Sequence, residues 1–168
     1  KMLEPQFGGW TLTIPGIYRA NGLPILKCDL SKGPNQGTLY LNWCDQKDGE
    51  SNTDVWLMKS TDGGETWSER TIVNQDDSKR HQFFTWMSVD QSTGYLYFVY
   101  YDRRNHSDTK TDVYMSVSRD GGITFEDHRI SHSPFTPSQG LFFGDYLNID
   151  AVSGVIRPIW PRADNGKI

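Results

Sequence analysis

Short runs of apolar residues, interrupted by glycine, aspartate and serine, recur along the chain. In its middle part four such runs follow one another, at residues 85–89, 95–101, 111–118 and 124–130. Runs of this length, rich in aromatic and β-branched residues and bounded by turn-forming residues, are typical of β-strands. No segment has the apolar spacing of a long amphipathic helix. The pattern therefore predicts an all-β protein in which four strands form one repeating unit.

Bulky side chains occupy both the odd and the even positions of these runs. Residues 95–101 read Tyr-Leu-Tyr-Phe-Val-Tyr-Tyr, so both faces of that strand are apolar. A strand that faces water on one side alternates between apolar and polar residues instead. The sequence therefore predicts sheets that are covered on both faces.

The strand pattern also repeats along the chain. Residues 94–102 follow the pattern of residues 37–45, and residues 146–160 follow residues 86–100 at a constant offset of 60. Self-similarity at this period is typical of propeller blades and other repeat arrays. The predicted repeat units are residues 23–80, residues 81–140 and a truncated third unit at residues 141–168.

Two copies of one octapeptide pattern carry the most specific signal. Residues 60–67 read Ser-Thr-Asp-Gly-Gly-Glu-Thr-Trp, and residues 118–125 read Ser-Arg-Asp-Gly-Gly-Ile-Thr-Phe. Each joins two strand-like runs, so each predicts a hairpin turn whose glycines supply positive φ angles. The aspartate and serine side chains can cap amides of that turn. The closing Trp67 or Phe125 is expected to anchor the turn against a neighbouring sheet.

The shared pattern Ser-x-Asp-x-Gly-x-x-Trp/Phe resembles the Asp box, or BNR repeat, of sialidases and related β-propellers. The resemblance implies an all-β fold of β-propeller blades with four antiparallel strands each, in an incomplete ring of two full blades and part of a third. It also implies that the boxes are structural turns on the side of the propeller away from the active site. The structural residues are then Ser60, Asp62, Gly64, Trp67, Ser118, Asp120, Gly122 and Phe125.

The predicted units are too few to close a propeller ring, so two arrangements remain open. In the first, the chain is a piece of a longer polypeptide, which the abrupt end of the third unit favours. In the second, several copies of the chain associate and their blades complete one ring. The expected partners therefore include the remainder of the polypeptide or further copies of the chain.

An up-and-down order of strands places the loops of every unit at two ends. The octapeptides mark one end, and the connections between second and third strands and between units lie at the other. Because the resemblance places function away from the boxes, we expect a ligand at the second end. The segments expected there are residues 45–52, 76–85, 102–110, 131–145 and 161–167.

Four arginines lie in these segments. They are Arg80, Arg103, Arg104 and Arg162. Planar guanidinium groups that converge from different units can hold a carboxylate through paired hydrogen bonds. Sialidases grip the carboxylate of their substrate with three arginines, so the resemblance implies that these residues bind substrate. The alternative is that they form loop ion pairs with neighbours such as Asp76, Asp77, Asp102 and Asp164.

Carboxyl and phenol groups accompany these arginines. Asp102 and Asp145 are candidate general acids for glycoside hydrolysis. Tyr101 and Tyr146 are candidate nucleophiles or stacking platforms for its oxocarbenium-like transition state. Asp145 is the strongest candidate, because residues 142–146 bring it among apolar neighbours at the start of an innermost strand. Each of these residues also has a structural alternative, in a turn or in the core.

The chain departs from the sialidase pattern in two respects. Sialidases carry an Arg-Ile-Pro motif near the start of the propeller, and the similar tripeptide here is Thr13-Ile14-Pro15. The glutamates at positions 65, 69 and 126 flank the octapeptides, where none obviously partners a catalytic tyrosine. The catalytic set of that family is therefore not transferred as a whole.

Two functions remain open. The first is a sialidase-like glycoside hydrolase, or a fragment of one, that acts on a terminal acidic sugar of a glycan. The second is a non-catalytic propeller that binds a glycan or a protein through aromatic-rich loops, such as residues 83–86 and residues 134–143. We expect no cofactor and no metal ion for either function.

Composition narrows the partners and the location. The 168 residues carry a net charge of −4, with a mean hydropathy of −0.62, which suits a soluble protein. Basic residues are scattered, so nucleic acid is not an expected partner, and no apolar run is long enough to span a membrane. Residues 1–10 do not resemble a signal peptide, so the chain is cytoplasmic, already processed or a fragment. The glycan-directed functions favour a secreted or cell-surface location.

Cys28 and Cys44 fall at ordinary strand positions of the repeat. Two buried or half-buried thiols are expected there, with a disulfide as the alternative, because neighbouring strands do not guarantee the geometry of a bridge. Neither cysteine has a metal-ligand spacing to a histidine.

Overall fold

A computed structural model describes residues 11–164 and residue 167. All paired strands in it are antiparallel, and none of the residues that it describes lies in a helix. The strands are β1 (Ile25–Cys28), β2 (Leu39–Asp45), β3 (Asp54–Ser60), β4 (Thr71–Ile72), β5 (Gln82–Asp90), β6 (Tyr95–Asp102), β7 (Asp112–Ser118), β8 (Glu126–Arg129), β9 (Asn148–Val152) and β10 (Val155–Ile159). The prediction of an all-β fold is confirmed.

The strands form three sheets. The first sheet has the order β1-β2-β3-β4, the second has the order β5-β6-β7-β8, and the third consists of β9 and β10. Strands that follow one another in the chain are neighbours, so each sheet is a simple meander. The four antiparallel strands predicted for each of the first two units are confirmed.

The two four-stranded sheets share one register. Asp45 lies opposite Asp54 in the first sheet, as Asp102 lies opposite Asp112 in the second. In each of these sheets, the loop between the second and third strands is therefore flanked by a pair of aspartates that face each other. At the far end of these hairpins the third strand closes with the serine that begins the octapeptide.

The second sheet lies between the other two. Its strand β5 packs against β1, β2 and β3 on one side and against β9 on the other. Most side chains of β6 are fully buried, including Leu96, Phe98 and Val99 at 0% exposure. The prediction of a strand covered on both faces is confirmed for β6, because neighbouring sheets cover the second sheet on both sides.

Strand β5 begins earlier than the sequence predicts. It starts at Gln82 rather than Thr85, and its register with β6 shifts between Phe83 and Trp86. Phe84 in this bulge has a φ of 53°, and its ring and that of Phe83 are buried against Tyr101. The prediction of an aromatic binding loop at 83–86 is therefore wrong, because these residues lie in β5 and the bulge turns both phenylalanines into the core.

The octapeptide at residues 60–67 forms the turn between β3 and β4, and its glycines have φ angles of 76° and 96°. The hydroxyl of Ser60 donates to Asp62 at 2.7 Å and accepts the amide of Gly64 at 2.9 Å. The carboxylate of Asp62 accepts the amide of Thr66 at 2.9 Å. The hydroxyl and amide of Thr66 hold the pKa of Asp62 well below its usual range, so this carboxylate stays ionised and caps the turn.

The octapeptide at residues 118–125 repeats that network between β7 and β8. Ser118 accepts the amide of Gly122 at 2.8 Å, and Asp120 accepts the amide of Thr124 at 3.0 Å. The ring of Phe125 meets Phe98 of its own sheet edge-on at 5.8 Å between centroids. Trp67 likewise packs against tryptophans of the first sheet. The anchoring that the sequence predicts against a neighbouring sheet is thus found within the same sheet.

Both cysteines are free thiols, as predicted. Cys44 is buried, and burial raises the pKa of its thiol to about 12. Cys28 is half-buried, and its thiol lies near the carbonyl oxygen of Asp29. The disulfide alternative is therefore wrong.

Candidate functional site

The loops of the sheets lie at two ends because the strands alternate in direction. The octapeptide turns share one end with the β1–β2, β5–β6 and β9–β10 connections. The opposite end, which we call the loop end, carries residues 46–53, 73–81, 103–111 and 130–147. The predicted site residues lie at or beside the loop end. They are Arg80, Asp102, Arg103, Arg104, Asp145, Tyr146 and Arg162.

Asp145 is held by an arginine that sequence reasoning missed. Nε of Arg19 donates to Oδ1 of Asp145 at 3.0 Å, and Nη2 of the same guanidinium donates to Oδ2. Nδ2 of Asn21 lies 3.5 Å from Oδ1 of the carboxylate. A two-point contact of this kind fixes the plane of the carboxylate. The sequence gives only one indication of this contact. Residues 19–21 come directly before β1, so they lie at the loop end, where Asp145 also lies.

Exposed aromatic rings surround this ion pair. Phe142 and Tyr146, which flank Asp145 in the chain, are 56% and 62% exposed. The guanidinium of Arg19 lies 5.4 Å from the centroid of the Phe142 ring, and the rings of Trp86 and Tyr146 are 6.2 Å apart. We define the Asp145 cluster as Arg19, Asn21, Phe142, Asp145 and Tyr146.

Asp102 and Arg104 pair with each other inside the protein. Asp102 is completely buried and accepts both the backbone amide and the guanidinium of Arg104, at 2.6 and 2.7 Å. Burial raises the pKa of the Asp102 carboxyl group, although Arg104 opposes the shift. Arg104 also binds Asp127 at 2.8 Å and lies 4.3 Å from the centroid of the Tyr114 ring. Arg104 therefore follows the ion-pair alternative.

Arg103 is buried in a different place. Its Nε donates to Oγ1 of Thr111 at 3.0 Å, and its Nη1 donates to the carbonyl oxygen of Pro15 at 2.7 Å. Its guanidinium also lies 5.1 Å from the centroid of the Phe83 ring. Burial lowers the pKa of Arg103 to about 10. These contacts fasten the segment before β1 to the second sheet.

Arg162 is held by an ion pair and hydrogen bonds, whereas, among the described residues, the guanidinium of Arg80 is not. Arg162 binds Asp164 at 2.7 Å and the carbonyl oxygen of Ser133 at 2.7 Å. The exposed guanidinium of Arg80 makes no hydrogen bond or ion pair within the described part of the chain. The pKa of its neighbour His81 is lowered to about 4, by burial first and then by the positive charges of Arg103 and Arg80. The structure thus brings Arg80 and Arg103 near His81.

The sequence predicts that the four arginines converge to hold the carboxylate of a substrate. None of their side chains donates to Asp145, and no two of them share a hydrogen-bond partner among residues 11–164 and 167. Arg104 and Arg162 are engaged by carboxylates, and Arg103 by neutral oxygen atoms. Arg80 remains available to a ligand.

Tyr101 is a structural anchor in the described structure. Its side chain is completely buried, and its hydroxyl donates to the carbonyl oxygen of Pro161 at 2.5 Å. Its ring contacts Phe135 and Phe143, with centroids 5.6 and 5.2 Å away. Burial raises the pKa of its phenol, so the hydroxyl stays protonated. Tyr146, by contrast, presents its ring to solvent.

Gly22 sets the path of the chain next to Asn21. A Cβ atom at this position would lie 2.3 Å from the carbonyl oxygen of Cys44, which is backbone and cannot rotate away. We expect Gly22→Ala to lower the free energy of unfolding by about 1–3 kcal/mol, because either the segment around Gly22 or strand β2, which contains Cys44, must shift to admit the methyl group. The measurement is urea denaturation followed by circular dichroism.

Gly140→Ala is the matched control for that substitution. A Cβ there would meet nothing closer than the Ser138 hydroxyl at 3.8 Å, so its unfolding free energy should stay near that of the unmutated protein. Equal free energies of unfolding for the two variants would contradict the close approach at Gly22.

The described residues contain neither a membrane-spanning helix nor a cluster of metal-binding side chains. No helix with the length and apolar character required to cross a bilayer occurs in residues 11–164 or at residue 167. No set of three or more histidine, cysteine, aspartate or glutamate side chains in that same part of the chain is arranged to hold a metal ion.

Comparison with known proteins assigns no family to the chain. No protein-family model matches it, and no curated protein matches it either.

Proposed function

We propose that this chain is part of an Asp-box β-propeller of the sialidase type, and that its loop end hydrolyses the bond to a terminal acidic sugar. The two octapeptide turns support the first part, because both carry the same serine and aspartate hydrogen bonds at the same end. The observation that carries the second part is the Asp145 cluster, an arginine-bound carboxylate between exposed aromatic rings at the opposite end.

The proposal gives each residue a role. Asp145 transfers a proton to the leaving oxygen of the glycosidic bond. Because it is a carboxylate while it accepts from Arg19, it first binds that proton from solvent, and Arg19 and Asn21 fix the direction of its carboxyl group. Arg80 has a free guanidinium, which makes it the first candidate to bind the carboxylate of the sugar. Tyr146 exposes its phenol beside Asp145, as a nucleophile or a stacking platform.

The test is hydrolysis of a fluorogenic 4-methylumbelliferyl sialoside by the intact protein. We expect Asp145→Asn to lower kcat/KM by at least about a hundredfold, because proton transfer from a positioned acid contributes about that much. Circular dichroism should show that the variant is folded, since Asp145 lies at the surface of the loop end.

Glu126→Gln is the matched control for Asp145→Asn. Glu126 also forms an exposed ion pair with an arginine, Arg119, at 2.7 Å, but it lies in β8 next to the second octapeptide. Its removal should leave kcat/KM unchanged. Equal activity in the two variants, or no turnover by the unmutated protein, would contradict the hydrolase.

A non-catalytic glycan-binding propeller is the second candidate. One observation favours this second function. In the described part of the chain, the phenol of Tyr146 forms no hydrogen bond with a glutamate. The catalytic tyrosine of sialidases has a glutamate partner, so this difference weakens the case for a covalent step. Calorimetric binding of sialyllactose without any release of sialic acid would identify this second function.

A further inference from the structure

One asparagine of the chain lies in a tripeptide that can carry a modification. Asn105-His106-Ser107 has the form Asn-x-Ser/Thr, the acceptor of N-linked oligosaccharides, with histidine rather than proline in the middle. No other asparagine of the sequence is followed two positions later by serine or threonine. Because so short a pattern also occurs by chance, its weight depends on where the folded chain places these residues.

The structure places Asn105 and Ser107 on a turn at the loop end. They lie between β6 and β7, and the amide of His106 donates to the carbonyl oxygen of Arg103 at 2.9 Å, which closes the turn. Asn105 and Ser107 are both exposed. A group attached to Asn105 therefore extends into solvent, and no strand has to move to admit it.

The side-chain amide of Asn105 is oriented by one hydrogen bond. Its Nδ2 atom donates to the hydroxyl oxygen of Tyr114 at 2.7 Å, and the Tyr114 ring lies 4.3 Å from Cζ of Arg104. An asparagine amide has two N–H groups, and this contact uses one of them. The second has no partner among residues 11–164 and 167. The opposite orientation of the amide, in which Tyr114 donates to Oδ1, would leave both N–H groups free.

A sugar on Nδ2 is compatible with this hydrogen bond. In the transfer, Nδ2 forms a bond to the anomeric carbon of a lipid-linked oligosaccharide, the bond from that carbon to the lipid diphosphate breaks, and Nδ2 loses one proton. The product keeps one N–H on Nδ2, which Tyr114 can still accept.

The alternative is that Asn105 only supports the turn through Tyr114. That role explains Asn105 but not Ser107, whose hydroxyl forms no hydrogen bond within the part of the chain that the structure describes. The fold itself therefore does not require a serine two residues after Asn105, whereas the modification does.

We propose that Asn105 is a site of N-linked glycosylation when the chain passes through a eukaryotic secretory compartment, and that the folded protein carries the oligosaccharide on the β6–β7 turn. The exposed position of Asn105, its oriented amide with a free N–H and the exposed Ser107 carry the proposal. It does not depend on the proposed hydrolysis, because it uses no residue of the Asp145 cluster. A glycan at Asn105 would also keep this turn out of a contact between copies of the chain.

Cell-free translation with endoplasmic-reticulum microsomes tests the proposal on the full chain behind a signal peptide. We expect one shift to higher mass in the protease-protected fraction, and peptide N-glycosidase F should remove it. Ser107→Ala and Asn105→Gln should each abolish the shift. Ser107→Ala is the sharper variant, because it leaves Asn105 and its hydrogen bond to Tyr114 in place.

Asn52→Gln is the matched control for these variants. Asn52 also lies at the loop end but is not followed by the acceptor pattern, so this variant should keep the shift. A protected but unmodified chain, or a shift that survives in Ser107→Ala, would overturn the proposal.

Urea denaturation tests whether the folded protein accommodates the oligosaccharide. The glycosylated protein and unglycosylated Ser107→Ala, secreted from the same cells, are compared. The glycosylated protein should have a midpoint at least as high, because its glycan extends into solvent and Tyr114 keeps its donor. A lower midpoint would show that the sugar does not fit the turn and would overturn the placement.

Discussion

Replacement of Arg104 by methionine is expected to lower the free energy of unfolding by about 3–5 kcal/mol, the cost of removing one partner from a buried ion pair. Arg104 is 11% exposed and forms ion pairs with three carboxylates, Asp102 at 2.7 Å, Asp127 at 2.8 Å and Asp76 at 3.8 Å. Methionine keeps much of the packing against the Tyr114 ring but supplies no hydrogen-bond donor. Asp102 would then remain fully buried without its cation.

The loss should extend beyond the second sheet. The guanidinium of Arg104 also reaches the carbonyl oxygen of Gln75 at 3.3 Å, and Asp127 accepts the amide of Gln75 at 2.8 Å. Gln75 lies in the connection between β4 and β5, so these contacts join the first sheet to the second at the loop end. Arg104→Met is therefore expected to loosen the connection that carries Arg80.

Urea denaturation of Arg104→Met and Arg119→Met measures this effect. Arg119 is a suitable control because its ion pair with Glu126 is also 2.7 Å long but more than half exposed, so its loss should lower the free energy of unfolding far less than the loss of Arg104. In Arg104→Met the deficit should shrink as the pH falls. An unpaired buried Asp102 binds a proton more tightly in the folded state than in the unfolded state, so acid favours folding there. Equal deficits in the two variants would show that Arg104 is not a structural cation.

Tyr101→Ala is expected to lower the free energy of unfolding by about 3–5 kcal/mol, the usual cost of deleting a buried aromatic side chain. Tyr101 has no exposed surface, and its ring contacts four phenylalanines from β5 and from the connection that follows β8. No small movement of one element fills the resulting cavity, because the contacts come from several directions.

The conservative variant Tyr101→Phe separates the ring from the hydroxyl. It removes only the hydrogen bond to Pro161, which should cost about 1 kcal/mol. If Tyr101→Phe lowers the free energy of unfolding as much as Tyr101→Ala does, the hydroxyl hydrogen bond, and not the packing of the ring, stabilises the protein at this position. Because Phe143 is two residues from Asp145, we also expect Tyr101→Ala to disturb the Asp145 cluster, which tryptophan and tyrosine fluorescence should report.

Much of the fold could be predicted from local sequence. Runs such as 95–101 are long enough for one strand and are bounded by residues that favour turns, so strand positions follow from short-range preferences. Repetition of the pattern then gave the same four strands twice. The exception is β5, where a bulge adds three residues to the predicted strand and buries Phe83 and Phe84. A bulge depends on pairing with β6, which no local pattern specifies.

The site was less predictable, because its contacts join residues that are distant in the chain. Asp145 was predicted as a candidate acid, but its partner Arg19 lies 126 residues away. Arg103 and Arg104 are adjacent in sequence, yet one extends toward Pro15 and the other toward Asp127. Successive residues at a strand end point to opposite faces of the sheet, so adjacency gave no information about a common clamp.

The sequence by itself determined the strands, their order within each sheet and the end at which each octapeptide turn lies, since all of these depend on interactions between residues close in the chain. Only the tertiary structure decided which polar side chains are engaged in the interior and which remain available to a ligand. Asp102 and Arg104 neutralise each other where the sheets cover them, whereas Arg80, Phe142 and Tyr146 stay exposed. The physical reason is that burial and ion pairing arise when separate sheets pack together, and a linear pattern does not encode which loops then meet.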